Sequence, residues 1–536
     1  MSRPGTEHWP VIVVGNGPVG QTAALLLARW GVRVLVLEAA PHRDPVGSKS
    51  ICQQRDVLDV WEACGASAIL EEGVTWSRAR TMYRDHELFC IELQDGGRSP
   101  LPPFVNISQA RTEELLDEAI AAQPLIEVRW GHEATGVSSS GDGVEVRCRT
   151  AHGDTVLCSS YAVVAAGSRA ADVRRSLGLS LDGSTFDDAF LICDIRADLP
   201  GWKNERRFYF DPPWNPGRQV LIHPCPDSVF RIDWQVEPGF DLEAARADGS
   251  LDRRIRQIIG DQDYDVVWSS VYRFHARIVD RMRVGRVLLA GDAAHLVAPF
   301  GARGLNSGVP DVENAAWKIA FLLHGWGGTE LLDSYNAERW AAARENLEVT
   351  SATMDFLVPQ SDALRERRRQ ILNAAIHDPA ARALVDSGRL AEPFWYVDSP
   401  LTTPCAGRPW PGRPEPGHPP ATVPGVIIPD CPALDESDAS VTRLRQICRS
   451  GLLALGGSQA DLPACESALR DALPPGAPVR VLLIEDVDVD GVLRTALQTG
   501  DDEVWLVRPD AHLAACVRSP SELAAAARRA LALTTR

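Results

Sequence analysis

Val11-Ile-Val-Val-Gly15-Asn-Gly17-Pro-Val-Gly20 decides the fold class. A β-branched run broken by glycine reads as a buried parallel strand entering a tight turn. Gln21 to Arg29 follows, rich in alanine and leucine, and reads as a helix; Val32 to Leu37 is the next strand and ends at Glu38. In such a βαβ unit Gly15 allows the turn, Gly17 lets the backbone approach a pyrophosphate, and Gly20 lets helix and strand pack closely. Pro18, Val19 and Ala39 border the same loop. An anion is favoured at the helix N-terminus by free N–H groups and the helix dipole. Glu38 is placed to accept hydrogen bonds from an adenosine ribose. A bare glycine-rich loop would explain the glycines, but not the preceding strand, the following helix and the closing acid together.

A second segment lies far downstream. Gly285-Arg-Val-Leu-Leu-Ala-Gly291-Asp292-Ala-Ala-His295 is followed by Pro299-Phe-Gly301-Ala-Arg303-Gly304-Leu-Asn306. Val287 to Ala290 reads as a buried strand, and Asp292, on a glycine turn after it, is positioned to accept a ribityl hydroxyl. Gly301, Gly304 and Gly308 let the backbone run close to a flat ring. A helix is expected to start near Leu305 or Asn306, with its N-terminal amides facing the pyrimidine side of an isoalloxazine, where a positive helix end stabilises reduced flavin. A plain strand–turn–helix junction capped by Asp292 accounts for one glycine, not three. The segments together imply FAD.

Composition sets the outer limits. The chain has 536 residues, which predicts two or three domains, and its 45% hydrophobic and 24% charged content is that of a globular protein. A formal net charge of −17 argues against a nucleic-acid partner. No apolar run approaches the ~18 residues of a membrane span. The N-terminus shows no signal-peptide apolar region. The twelve cysteines include no C-x-x-C pair. A cytoplasmic chain with reduced thiols, and no metal centre, is expected.

The expected organisation is α/β. Residues 1–75, 106–180 and 275–400 read as a Rossmann-like FAD-binding domain with a helical extension, helical in pattern from Asp311 to about Val397. Residues 76–105 and 181–274 read as an inserted antiparallel β-sheet domain for the substrate, built from short alternating runs such as Arg207-Phe-Tyr-Phe210, Gln219-Val-Leu-Ile-His223 and Phe230-Arg-Ile-Asp-Trp234. Thr112 to Ala122 reads as a helix, and Val144 to Val156 as a hairpin. Residues 401–425 are a proline-rich linker, stiff and extended. Residues 426–536 read as a small α/β domain with strands at Arg480–Ile484 and Val504–Val507 and a closing helix at Ser519–Ala532.

At these motifs the chain resembles the class A, single-component FAD aromatic hydroxylases related to p-hydroxybenzoate hydroxylase and phenol hydroxylase, most of all the 3-(3-hydroxyphenyl)propionate hydroxylase-like group. Gly47-Ser-Lys-Ser-Ile-Cys52, Arg206-Arg-Phe-Tyr-Phe-Asp211, Phe274-His-Ala-Arg277 and Pro299 to Gly304 carry the likeness, which covers about residues 9–345. The resemblance implies an NADPH- or NADH-dependent monooxygenase that uses O2, through a flavin C4a-hydroperoxide, to hydroxylate a phenol-like or heteroaromatic small molecule. It implies that Gly15, Gly17, Gly20 and Glu38 hold the ADP moiety and that Lys49 stands near the FAD phosphates. Gln109 and Arg111 would reach the flavin, and Gly167, Gly291 and Asp292 would contact the cofactor. Pro299, Gly304, Leu305 and Asn306 would border the isoalloxazine, with Pro299, Gly304 and Asn306 nearest the chemistry. The final domain resembles the thioredoxin-like domain of phenol hydroxylases but lacks the paired thiols of redox chemistry, so it is expected to be structural, shaping a homodimer.

Two departures stand out: Ala166 replaces the aspartate of the family's mid-chain Asp-Gly motif, with Asp172 nearby, and Pro310 stands where relatives often have glutamine. Epoxidation, Baeyer–Villiger oxidation or dehydrogenation on the same fold, or a non-catalytic FAD-dependent binding protein, are the alternatives. Tyr209, Trp214, His223 and Trp234 are the candidate substrate-pocket residues on the inserted sheet, each weighed against a packing role.

Overall fold

The computed structural model describes residues 7–534 except 46, 48, 93–98, 142, 389 and 416–417, with the backbone alone at 187. Its first sheet runs in the order Arg283–Val284, Val287–Leu289, Gly153–Val164, His8–Val14, Val34–Leu37, Ile126–Arg129. His8–Val14 pairs in parallel with strands on both sides, Val13 opposite Val163 and Val36. Buried on both faces, such a strand must be apolar throughout, and Val11, Ile12 and Val13 are fully buried. The expected hairpin is present: Glu133–Ser140, Gly143–Thr150 and Gly153–Val164 pair antiparallel in succession.

The second sheet draws on two separated stretches of chain. Its order is His295–Leu296, Tyr264–Val279, Leu181–Ala197, Val229–Val236, Gln219–Pro224, Glu205–Phe210, Arg78–Tyr83, His86–Glu92. Where short strands were expected between 181 and 274, two are long, of 17 and 16 residues, and the second runs on to Val279. A register shift between Thr185 and Ala189 interrupts the ladder between them, the kind of irregularity that bends a long strand pair.

Because side chains alternate along a strand, this sheet has two different faces. One carries Leu191, Val220, Ile222, Ile232 and Trp234, packed on Leu251, Ile255 and Ile259 of the amphipathic helix Ser250–Ile259. The other carries Phe190, Phe208, Leu221 and Phe274, which meet Phe300 and the helical residues Met354, Leu357 and Leu372.

Three helices follow, Arg303–Leu323, Leu331–Leu357 and Asp362–Ala375. The helical pattern expected to reach Val397 ends with the short helix Pro379–Arg382. Gly388 at φ +84° and Pro393 lie beyond it, and both oppose helix. The proline-rich strap then runs to a four-stranded mixed sheet ordered Val479–Leu483, Leu452–Gly456, Val504–Val507, Leu513–Val517. Its first pair is parallel and the others antiparallel. This small α/β unit is compatible with the thioredoxin-like expectation.

Buried ion pairs fasten that unit to the rest. Arg443, Arg445 and Arg449 converge on Asp59 of the helix Arg55–Ala63. Burial pushes the Asp59 carboxyl up, but the three guanidiniums override it and hold it below its ordinary value. Deeper in, Glu338 accepts from Lys318 Nζ at 2.6 Å and from Arg508 Nη1 at 2.6 Å, while Arg508 Nη2 donates to Asp510 at 2.6 Å. No helix among the described residues is long and apolar enough to cross a membrane.

Candidate active site

One connected cleft of about 1930 Å³ runs between the first sheet, the second sheet and the N-terminus of the helix Arg303–Leu323. A single small-ligand pocket measures roughly 300–1,000 Å³, so this cleft has room for a cofactor and a substrate together.

The glycine loop lines one end. Gly15 has φ +105°, and a Cβ there would lie 2.5 Å from the Ala165 carbonyl oxygen. A Cβ on Gly20 would lie 1.9 Å from the Gly15 carbonyl oxygen, so strand, turn and helix pack with no room for a methyl. Gly17 is different: nothing lies within 4 Å of a Cβ there, and its backbone faces the cleft. Glu38 accepts from the Asn16 N–H and the Ala40 N–H, each at 2.9 Å, which fixes the carboxylate at the cleft wall. Asn16 is fully buried, with both side-chain polar atoms unpartnered.

At the centre is the Gly291–Asp292 turn. Gly291 has φ +57° and packs on Val19, and Gly308 of the long helix packs on both. Asp311 anchors this turn: its Oδ2 accepts the Gly291 N–H at 2.9 Å and lies 2.8 Å from His295 Nε2, while Arg339 donates to Oδ1 at 2.8 Å. Asp292 faces the cleft, enclosed by protein yet open to the cavity. Burial raises its carboxyl pKa, opposed by His295 and Lys49.

At the far end Gly301 and Ala302 both have positive φ, +84° and +56°, and turn the chain into Arg303–Leu323. Nothing lies within 4 Å of a Cβ on Gly304, so the first helical turn opens on the cavity. The helix starts at Arg303, two or three residues earlier than expected, and tolerates Pro310 inside it.

These residues fit FAD. Gly15, Gly17, Pro18, Val19, Glu38, Ala39, Lys49, Gln109, Gly167, Asp292, Pro299, Gly304 and Leu305 all line the cleft. Gly20 and Gly291 act through close packing beside it. Arg111 does not reach it: its guanidinium pairs with Glu72 and Glu114 at 2.8 and 3.0 Å on the exposed side of the helix Gln109–Ala121. The Asn306 side chain is engaged within the protein. Its amide donates to the Cys52 and Ala302 carbonyl oxygens and accepts the Gln54 N–H, pinning strand Cys52–Gln54 to the helix start. Ala166 lines the cleft, and Asp172 is paired with Arg175 at 2.6 Å on an exposed helix.

Three of the four substrate candidates lie away from the cleft, Tyr209 and Trp234 on the other face of the second sheet and Trp214 in the turn beside Tyr209. Tyr209 stands opposite Val220, and Val220 opposite Trp234; with Trp214 they belong to the core around helix Ser250–Ile259. His223 is three residues beyond Val220, so it points the other way, into the cleft. The sequence reading missed Arg43, Arg174, Arg206 and Asp233, all of which line the cavity. Arg231 and Asp233 alternate with Phe230, Ile232 and Trp234; that period-2 polar pattern in a buried strand was the available signal.

Residues 8–350 match the FAD binding domain family. The chain belongs to that family. It is 30% identical over 372 residues to a 3-(3-hydroxy-phenyl)propionate/3-hydroxycinnamic acid hydroxylase of Comamonas testosteroni, a match that covers 68% of this chain and 61% of the relative. It is 32% identical over 354 residues to a protein of Mycobacteroides abscessus named flavin-dependent monooxygenase, covering 62% and 71%. Among solved structures, the flavin-dependent monooxygenase PieE in complex with FAD and substrate shares the fold at a TM-score of 0.81 and 24% identity, over 98% of this chain and 100% of that one. Aklavinone-11 hydroxylase shares it at 0.76 and 22%, over 99% and 100%.

Removal of the Asp292 carboxylate is expected to weaken FAD retention. A hydrogen bond to a charged group is worth about 1.5–3 kcal/mol, or roughly tenfold to a hundredfold in affinity. Fluorescence titration of apo Asp292→Ala with FAD measures it; wild-type affinity in this variant would exclude Asp292 as a cofactor contact.

Proposed function

We propose that this protein is an FAD-dependent monooxygenase that hydroxylates an aromatic small molecule, phenol-like or heteroaromatic, with NADPH or NADH as reductant and O2 as oxidant. The observation that carries this reading is the continuity of the cleft: its dinucleotide end opens without a wall into a chamber faced by aromatic rings. Phe190 and Phe274 stack at 4.6 Å, and Phe300 meets them edge-on at 5.5 and 5.7 Å. The names of the relatives, hydroxylases of phenolic acids, support the substrate class.

When bound, the flavin supplies the redox chemistry with O2. The chain supplies position and exclusion. The Gly15–Gly20 loop and Glu38 hold the nucleotide end. The N-terminal turn of Arg303–Leu323 places a positive helix end at the cavity, where it stabilises developing negative charge. The Phe190, Phe274 and Phe300 rings form an apolar wall that orients a planar ring and keeps water out.

The purified holoenzyme is expected to consume NADPH or NADH slowly alone and faster with a suitable phenolic acid or fused-ring phenol, in an O2-dependent way. Consumption that no aromatic compound alters would contradict this reading. No disulfide joins cysteines among the described residues, which supports a reducing, cytoplasmic location. A homodimer is the expected assembly, to be read by sedimentation.

A further inference from the structure

The face of the second sheet that looks into the cleft carries an uneven set of charges. Arg231 is committed: its Nε and Nη2 donate to the two oxygens of Asp194, each at 2.8 Å. Asp233, two residues along the same strand and on the same face, has no such partner. Its Oδ1 is buried with no hydrogen bond, and its carboxylate borders the cavity. His223 stands across from Arg231, and Leu221 across from Asp233, so the imidazole and the carboxylate are diagonal neighbours. The His223 Nδ1 is likewise buried and unpartnered. Arg206, also in the cavity wall, donates to the Ser387 carbonyl oxygen at 2.7 Å and lies over the Phe208 ring.

A buried carboxylate oxygen with no donor is costly, and such an exception calls for a ligand to explain it. Burial pushes the Asp233 carboxyl up to about 7, with Asp194 adding to that effect and Arg231 and Arg206 opposing it. Burial, with Arg206 and Arg231 nearby, holds the His223 imidazole well below its ordinary range, so it is neutral. Asp233 thus offers the cavity an acceptor oxygen that is unfilled and basic enough to take a proton near neutrality.

We propose that Asp233 is a catalytic residue that receives the ring hydroxyl of the aromatic substrate. Its carboxylate accepts the hydroxyl hydrogen bond on binding and then takes the proton. The ring O–H bond breaks, its electron pair stays on the ring oxygen, and a new O–H bond forms on Asp233. The ring becomes more electron-rich at the carbons ortho and para to that oxygen, which is where an electrophilic oxygen from the flavin–O2 chemistry is attacked. Neutral His223 lies beside this pair, and the Phe190, Phe274 and Phe300 wall holds the rest of the ring system.

This deepens the proposed function and rests on it. The test is binding, read as perturbation of the flavin spectrum of the holoenzyme, with 1-naphthol and its methyl ether, 1-methoxynaphthalene. Wild type is expected to bind the naphthol about tenfold or more tightly than the ether, the worth of one hydrogen bond to a charged acceptor. In Asp233→Leu, which has no acceptor, that preference should collapse to about twofold or less, with FAD retained and the unfolding midpoint not lowered; Asp233→Asn, whose amide oxygen still accepts but is uncharged, should fall between Asp233→Leu and wild type. The preference surviving at its full size in Asp233→Leu, or its absence in wild type, overturns the proposal. So does loss of FAD or of stability in the variants, which would give Asp233 a structural task. The measurement needs no turnover, so selective binding without any oxygenated product would sink the monooxygenase reading while leaving the hydroxyl site standing.

Discussion

Gly20→Val is expected to give a colourless, destabilised protein. The added Cβ would sit 1.9 Å from the Gly15 carbonyl oxygen and 2.9 Å from its carbon. Both are backbone atoms of the turn, so no side chain can rotate away. Overpacking of this kind costs about 1–3 kcal/mol or more, and relief requires the helix Pro18–Arg29 to move off the loop. That movement breaks the alignment of the helix N-terminus with the Gly15–Gly17 turn, and an FAD loss of a hundredfold or more needs only about 2.7 kcal/mol. Gly17→Ala separates binding from folding. Gly17 has φ −81° and ψ 179°, ordinary for alanine, and open space where the methyl would go. It is expected to keep the wild-type unfolding midpoint and still lose FAD affinity. Equal FAD content in wild type and both variants would refute the placement of the pyrophosphate.

The other large effect lies at the base of the C-terminal unit. Glu338→Ala removes the shared partner of two buried cations, Lys318 and Arg508, both fully buried. Stripping one partner from a buried ion pair costs about 3–5 kcal/mol, because the remaining charge is left uncompensated. The variant is expected to unfold well below wild type in urea and to be cleaved by protease in the proline-rich strap. The pH dependence has a definite sign. Burial pushes the Glu338 carboxyl up, but Arg508 and Lys318 override it and hold it far below the ordinary range. A glutamate depressed in the folded state contributes stability that is present above its unfolded pKa, about 4.3, and is lost as pH falls below that value. Wild type should therefore lose stability more steeply than Glu338→Ala below about pH 4. Parallel pH profiles for the two proteins would remove Glu338 from this role.

The nucleotide end was legible because it is local. Gly15, Gly17, Gly20 and Glu38 lie within one βαβ unit, where spacing alone dictates the geometry. The Gly291–Asp292 turn was legible for the same reason, but its support was not: Asp311, Arg339 and His295 come from the interior of one helix, a second helix and a strand, joined only by the tertiary fold. The substrate face failed on parity. Tyr209 and Trp234 are large aromatics, yet their register with Val220 places them in the core, and residues an odd number of positions away on the same strands, Arg206, His223 and Asp233, face the cavity. Arg111 misled because its helix turns its guanidinium toward Glu72 and Glu114 rather than the cleft.

The most direct test is turnover of the FAD-loaded protein with NADPH or NADH and a bound phenol under isotopically labelled dioxygen, followed by mass spectrometry of the product. A product that gains one labelled oxygen atom, in parallel with reductant consumed, is the expected result. A product that gains no label, or an unchanged phenol while all reductant goes to hydrogen peroxide, would contradict a monooxygenase.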